Sequence, residues 1–150
     1  ELCYLENGPS LNLEHNQSQL FIRMRGRKIY EYALKNVPDA IKATIDKAGL
    51  DISDIHKILI HQANAKMDYA MIGRLFKLYG QKDYDHAISP MTIQQFGNSS
   101  VATVPTLFDL IRKGKMEGQS FTPGSHILFT SVGAGMNINC VVYKFPEGKI

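Results

Sequence analysis

KILIHQANAKMDYAMIGRLFKLYG, residues 57–80, decides how this chain is read. KILIH is an apolar run that closes on a polar residue, the pattern of a central parallel strand covered on both faces. Asn64 stands where it can cap the helix that follows, and Gly80 where it can end it. In open sheets built from strand–helix units, functional groups gather at the carboxyl ends of the strands. His61 stands at one such end. Whether it does chemistry or only closes a strand depends on what the rest of the chain brings beside it.

Upstream, residues 1–19 are polar and read as an irregular arm; residues 20–150 read as one domain. LFIRM, Leu20 to Met24, is short and β-rich, a strand. From Gly26 to Ala48 the apolar residues Tyr30, Leu34, Val37, Ile41, Ile45 and Ala48 share one helical face. Pro38 interrupts this pattern and predicts a kink or two successive helices, with Gly49 as the stop. Downstream, a weak strand is expected near His86 to Ser89 and a third helix over Ser100 to Arg112. HILFTSV (His126 to Val132) and INCVVYKF (Ile138 to Phe145) read as strands joined by a tight hairpin through Gly133, Ala134 and Gly135. The order β-α-β-α-β-α-β-β implies an α/β fold: a five-stranded, mostly parallel mixed sheet with helices on both faces.

Composition sets the bounds. The 150 residues, 44% hydrophobic and 21% charged, suit one domain with a real core. A net charge of +3 slightly favours acidic partners and gives no argument for nucleic acid. No run approaches a membrane span, and no leader pattern is visible at the start. A first residue other than Met is expected of a processed chain or an excised piece of a longer one. Two cysteines, Cys3 and Cys140, make neither a disulfide framework nor a metal site and fit a reducing, cytoplasmic setting.

The third helix, SVATVPTLFDLIR, is too apolar for an ordinary surface helix: Ser100, Thr103, Thr106, Asp109 and Arg112 form a narrow polar line and nearly all the rest is apolar. It is expected to be covered on most sides, which requires a further domain or a tight partner. Three segments should meet near the strand ends: His61-Gln62-Ala63-Asn64, FGNSS (Phe96 to Ser100) and VGAGM (Val132 to Met136). His61 and Asn98 both offer hydrogen-bond donors, and two donors aimed at one thioester carbonyl would stabilise an enolate. Each also has an ordinary reading: a strand-end histidine, a turn or cap asparagine, hairpin glycines.

HQAN, then FGNSS, then VGAGM before a final strand resembles the C-terminal half of the 3-oxoacyl-[acyl-carrier-protein] synthase III family, the initiating ketoacyl synthases with a thiolase-like fold. MRGRKIYEYAL adds to the likeness, which runs from about Leu20 to Phe145. The resemblance implies that His61 and Asn98 are the His and Asn of a Cys-His-Asn triad, which bind the malonyl thioester and promote its decarboxylation. It implies that the backbone N–H of Ala134, flanked by Gly133 and Gly135, serves an oxyanion hole, though the family often has three glycines there. Asn64 and Gly97 are structural parts of their loops.

The nucleophilic cysteine of that triad is not expected here. Cys3 lies in a polar arm, and Cys140 in an apolar strand where a thiol is usually inert. The family keeps its cysteine in the N-terminal half, so the resemblance implies that this chain is the C-terminal half alone and inactive by itself. Implied partners are acyl-carrier protein, acyl-CoA, that N-terminal half and a second copy in a homodimer. No cofactor or metal is expected, since coenzyme A and carrier phosphopantetheine bring the substrates. Nucleic acid and membrane are not expected partners. Lys66, Arg74 and Lys77 lie near one stripe of the second helix, either a solvated face or a docking surface for the acidic carrier or coenzyme A; the resemblance favours docking at Lys66. Arg27 lies in a second basic cluster with Arg23, Arg25 and Lys28, which either flanks the pantetheine entrance, with Arg27 adding to carrier or coenzyme A docking, or is merely exposed at a strand-to-helix turn. The alternatives are a specialised polyketide or secondary-lipid condensing enzyme, or a non-catalytic module binding carrier or coenzyme A.

Overall fold

The computed structural model describes residues 3–7 and 20–148. Its elements, in order, are β1 (Cys3–Asn7), β2 (Leu20–Met24), α1 (Gly26–Lys47), β3 (Ile55–Ile60), α2 (Ala65–Leu78), α3 (Ile93–Phe96), α4 (Thr103–Arg112), β4 (His126–Gly133) and β5 (Asn137–Lys144). The fold is α/β, but the main sheet has three strands, ordered β3-β4-β5, not five. β3 and β4 are parallel, and β5 returns antiparallel to β4.

The two other expected strands have identifiable fates. β2 pairs antiparallel with β1 in a separate ribbon, Cys3 opposite Met24 and Asn7 opposite Leu20. Part of the arm read as irregular is thus a strand; the rest of residues 1–19 lies outside the described residues. His86–Ile88 is a single 3-10 turn, because the Asp85 carboxylate accepts the Ala87 N–H at 2.8 Å and caps it. A short Asx-type bond of this kind competes directly with strand pairing.

α1 runs as one helix through Pro38, not as two successive helices. An interior proline costs roughly 3 kcal/mol, through a lost hydrogen bond and a clash. Opposing that, Val37, Ile41 and Ile45 are fully buried, each worth roughly 1.5–3 kcal/mol. They pack in one cluster with Met71, Ile72, Leu75 and Phe76 of α2 and Ile58, Ile60 and Leu128 of the sheet. A continuous stripe against α2 is worth more than a break would relieve.

The opposite face of the sheet carries a second, smaller core, in which Leu59, Ile127 and Phe145 meet Leu107 and Ile111 of α4. Helices therefore cover both faces, and β3 is buried on both, as its apolar run requires. The register slips between Ile55 and Lys57. Lys57 itself is buried, and its ammonium donates to the Ala87 carbonyl at 2.6 Å. Burial lowers its pKa, and nearby Asp85 partly offsets this.

α4 is less covered than its composition asks. Thr103, Leu107 and Ile111 face the core. Val101, in the 3-10 turn leading into α4, is 91% exposed, and Val141 and Tyr143 of β5 are also exposed. Pro105 falls in the first turn, where the missing N–H has no intrahelical partner to lose.

Candidate active site at the carboxyl ends of the strands

β3 ends at Ile60, and the ladder continues one residue further: the His61 N–H donates to the Thr130 carbonyl of β4 at 2.9 Å. This fixes His61 at the edge of the sheet rather than in the loop beyond. Its imidazole is half-buried. Burial lowers its pKa, outweighing the nearby Ser100 backbone, which favours the charged form. The ring is therefore neutral near pH 7, with an N–H to give on one nitrogen and a lone pair on the other. The Ser100 contact also brings HQAN and FGNSS together.

Asn98 is exposed in that second segment, and its Oδ1 accepts the Ser100 N–H at 2.9 Å. This bond occupies the acceptor end of the amide, so the Nδ2 end is what remains for a ligand. The local backbone is unusual. Gly97 has φ +63, a conformation that suits glycine, and Ser100 has φ +52. The other non-glycine residue with positive φ among those described is Met136, at φ +55 in the glycine loop. Left-handed backbone at non-glycine residues persists only where surroundings hold it, and it concentrates at functional sites.

The third segment joins β4 to β5 as expected, by a turn over Ala134–Met136 with Gly133 paired to Asn137. Gly135 takes φ +74. Gly133 lies three residues beyond Thr130, about 10 Å along the strand at ~3.3 Å per residue. The three segments thus share one end of the sheet.

Asn64 caps α2, accepting the N–H groups of Lys66 at 3.0 Å and Met67 at 3.3 Å. Lys66, Arg74 and Lys77 are all exposed on α2. Arg74 and Lys77 border a groove between α1 and α2, together with Leu34, Ala70, Gly73 and Leu78. Arg27 is placed differently. It is 91% exposed on α1, and its Nε donates to Glu31 at 3.0 Å, so part of its charge is already answered. The Cys140 thiol sits in β5 against the larger core, accepts a weak bond from Thr130 Oγ1 at 3.6 Å, and is pushed up in pKa by burial. That is the setting of an unreactive thiol.

Two residues matter more than their sequence suggested. Gln62 is fully buried, and its amide binds the 90–92 segment. Asp68 is fully buried too, both oxygens lack a partner among the described residues, and burial raises its pKa to about 7. Asp68 could have been found: it precedes Met71, Ile72 and Leu75 by three, four and seven residues, on the buried stripe. Gln62 could not, since its partners lie about thirty residues away. Among the described residues, no group of three or more His, Cys, Asp or Glu is placed to hold a metal ion, and no helix is long and apolar enough to cross a membrane.

A family profile described as 3-oxoacyl-[acyl-carrier-protein (ACP)] synthase III C terminal matches residues 45–145. The chain belongs to this family. It is 33% identical over 146 residues to the beta-ketoacyl-[acyl-carrier-protein] synthase III of Erythrobacter litoralis, covering 97% of this chain and 40% of that relative. The solved 3-oxoacyl-[acyl-carrier-protein] synthase III of Aquifex aeolicus superposes with TM-score 0.70 at 27% identity, covering 95% of this chain and 42% of that one. The priming beta-ketosynthase of the R1128 polyketide pathway has the same fold, with TM-score 0.70 at 23% identity over 87% of this chain and 36% of its own. The chain thus spans about two fifths of the length of such relatives. The range 45–145 spans the segments that hold His61, Asn98 and the glycine loop.

Proposed function

We propose that this chain is the malonyl-activating half of a condensing enzyme that starts fatty-acid synthesis by joining an acyl-CoA primer to malonyl-acyl-carrier protein. The observation that carries the reading is the convergence of His61 with the FGNSS turn at the carboxyl end of β3. In this reading an N–H of neutral His61 and the Nδ2 group of Asn98 donate to the thioester oxygen of the malonyl group. The bond to its carboxylate breaks, carbon dioxide leaves, and the electron pair moves onto the thioester as an enolate held by the two donors. The carbanion then attacks an acyl thioester on a cysteine, whose thiolate departs. The Ala134 N–H is assigned to the oxyanion of that second, tetrahedral step.

The cysteine is assigned to an N-terminal domain outside these 150 residues. Two observations support this. Cys140 is a half-buried thiol whose pKa burial raises, away from the thiolate a nucleophile needs, and Val101, Val141 and Tyr143 leave apolar side chains exposed for a covering domain. Lys66, Arg74 and Lys77 are assigned to docking of the acidic carrier or coenzyme A, with Arg27 a weaker member because of Glu31. A homodimer is the expected assembly. No resident cofactor enters the chemistry.

The test is release of carbon dioxide from a malonyl thioester by the full-length protein. His61→Ala and Asn98→Ala should each lower the rate by roughly 100- to 1000-fold, as loss of one oxyanion donor does. A protein that binds carrier or coenzyme A but releases no carbon dioxide, with or without the substitutions, is a binding module instead.

A further inference from the structure

We infer that Gln62 is the positioning residue that sets Asn98 against His61. The inference rests on the reading of those two residues as the donor pair. Gln62 follows His61 directly and has no solvent exposure. Its Nε2 donates to the Pro90 carbonyl at 3.0 Å, and its Oε1 accepts the Thr92 N–H at 2.8 Å, with Thr92 Oγ1 at 3.4 Å. A carbonyl and the N–H two residues on are the pair that a neighbouring strand would engage. A primary amide carries the same donor and acceptor as a peptide group. Gln62 thus does for residues 90–92 what a neighbouring strand would do.

From Thr92 the connection to Asn98 is short and stiff. The Thr92 carbonyl accepts the N–H groups of Gln95 and Phe96, each at 3.0 Å, and the Ile93 carbonyl accepts that of Gly97 at 2.9 Å. One turn of helix therefore carries the constraint to Gly97 and Asn98. At the other end, the His61 N–H is held by Thr130. Each link from one donor residue to the other is either a covalent step or a hydrogen bond of 3.0 Å or less. Gln62 is the only side chain in that path, and it touches backbone rather than substrate, so its effect on the chemistry is through placement.

The experiment uses the full-length protein and reads two steps apart: acylation of the cysteine, by the mass of the acyl-enzyme, and release of carbon dioxide from a malonyl thioester. Gln62→Met keeps the length and removes both hydrogen bonds. It should lower kcat for carbon dioxide release by roughly 10- to 100-fold, the scale of a misplacement near 1 Å, while acylation stays within about twofold. Gln62→Glu gives a pH signature. Ionised, the carboxylate has nothing to donate to Pro90. Protonated, it donates one O–H and accepts from Thr92, so release relative to the parent should recover as pH falls.

Unchanged release in Gln62→Met, or an equal fall in both steps, overturns the inference. If Gln62→Met yields no folded protein, the Gln62→Glu series decides: recovery supports placement, and a profile parallel to the parent refutes it. His61→Ala in the same assay separates the two levels. Release that survives His61→Ala removes the donor-pair reading. Release lost in His61→Ala but kept in Gln62→Met removes only the positioning role.

Discussion

Asp68→Asn offers the sharpest test of the packing described here. The carboxyl is fully buried, both oxygens lack partners among the described residues, and its pKa rises from 3.8 to about 7 on folding, chiefly through burial. The sign follows from proton linkage. Between those values the folded state holds a proton that the unfolded state releases, so stability falls as pH rises. With folded and unfolded pKa values of about 7 and 3.8, the loss between pH 5 and pH 7 is about 2 kcal/mol. Asn has nearly the same shape and does not titrate. Its amide brings unsatisfied groups of its own, but that cost is constant with pH. The prediction therefore lies in the slope. Urea unfolding at pH 5, 6 and 7, read as the midpoint difference between variant and parent, cancels the other titrating groups. The variant should gain on the parent by roughly 1 M urea across this range, for an m-value of about 2 kcal/mol/M. A difference that stays constant with pH refutes the burial of Asp68 as an unpartnered acid.

Asn64→Ala removes the acceptor for two α2 N–H groups and should destabilise by about 1 kcal/mol, read by the same denaturation. Lys66→Glu with Lys77→Glu should weaken binding of acidic carrier protein, with the deficit largest at low ionic strength and fading as salt is added; calorimetric titration at two salt concentrations checks both. The isolated 150-residue chain should catalyse no condensation of acetyl-CoA with malonyl-acyl-carrier protein, and measurable product from it would contradict the split of donors and nucleophile.

What could be read from the residues, and what could not, divides along the range of the interactions. KILI, the Asn64 cap and the glycine hairpin are local, and each falls where its own chemistry puts it. Pro38 misleads because its cost is local while the burial that overrides it belongs to α2 and the sheet. His86–Ser89 misleads because one Asp85 side-chain bond makes a turn of a β-prone segment. The fate of β2 depends on a partner strand in a stretch whose polarity hides it. At the site, the types His61 and Asn98 point to donor chemistry, but which loop meets which strand end is carried by Gln62 and Thr130 across long sequence distances. Lys57 shows the same limit: its buried ammonium is satisfied by a carbonyl thirty residues on.

The central claim is that the donor pair lies in this chain and the nucleophile outside it. The most direct measurement is the intact mass of the native gene product before and after brief exposure to a thiol-alkylating reagent. The native product should have a mass about twice 16.8 kDa or more, as at least two domains require, with one fast-labelled cysteine outside these 150 residues and Cys140 unlabelled. A native product of 16.8 kDa, or fast labelling at Cys140, would contradict the claim.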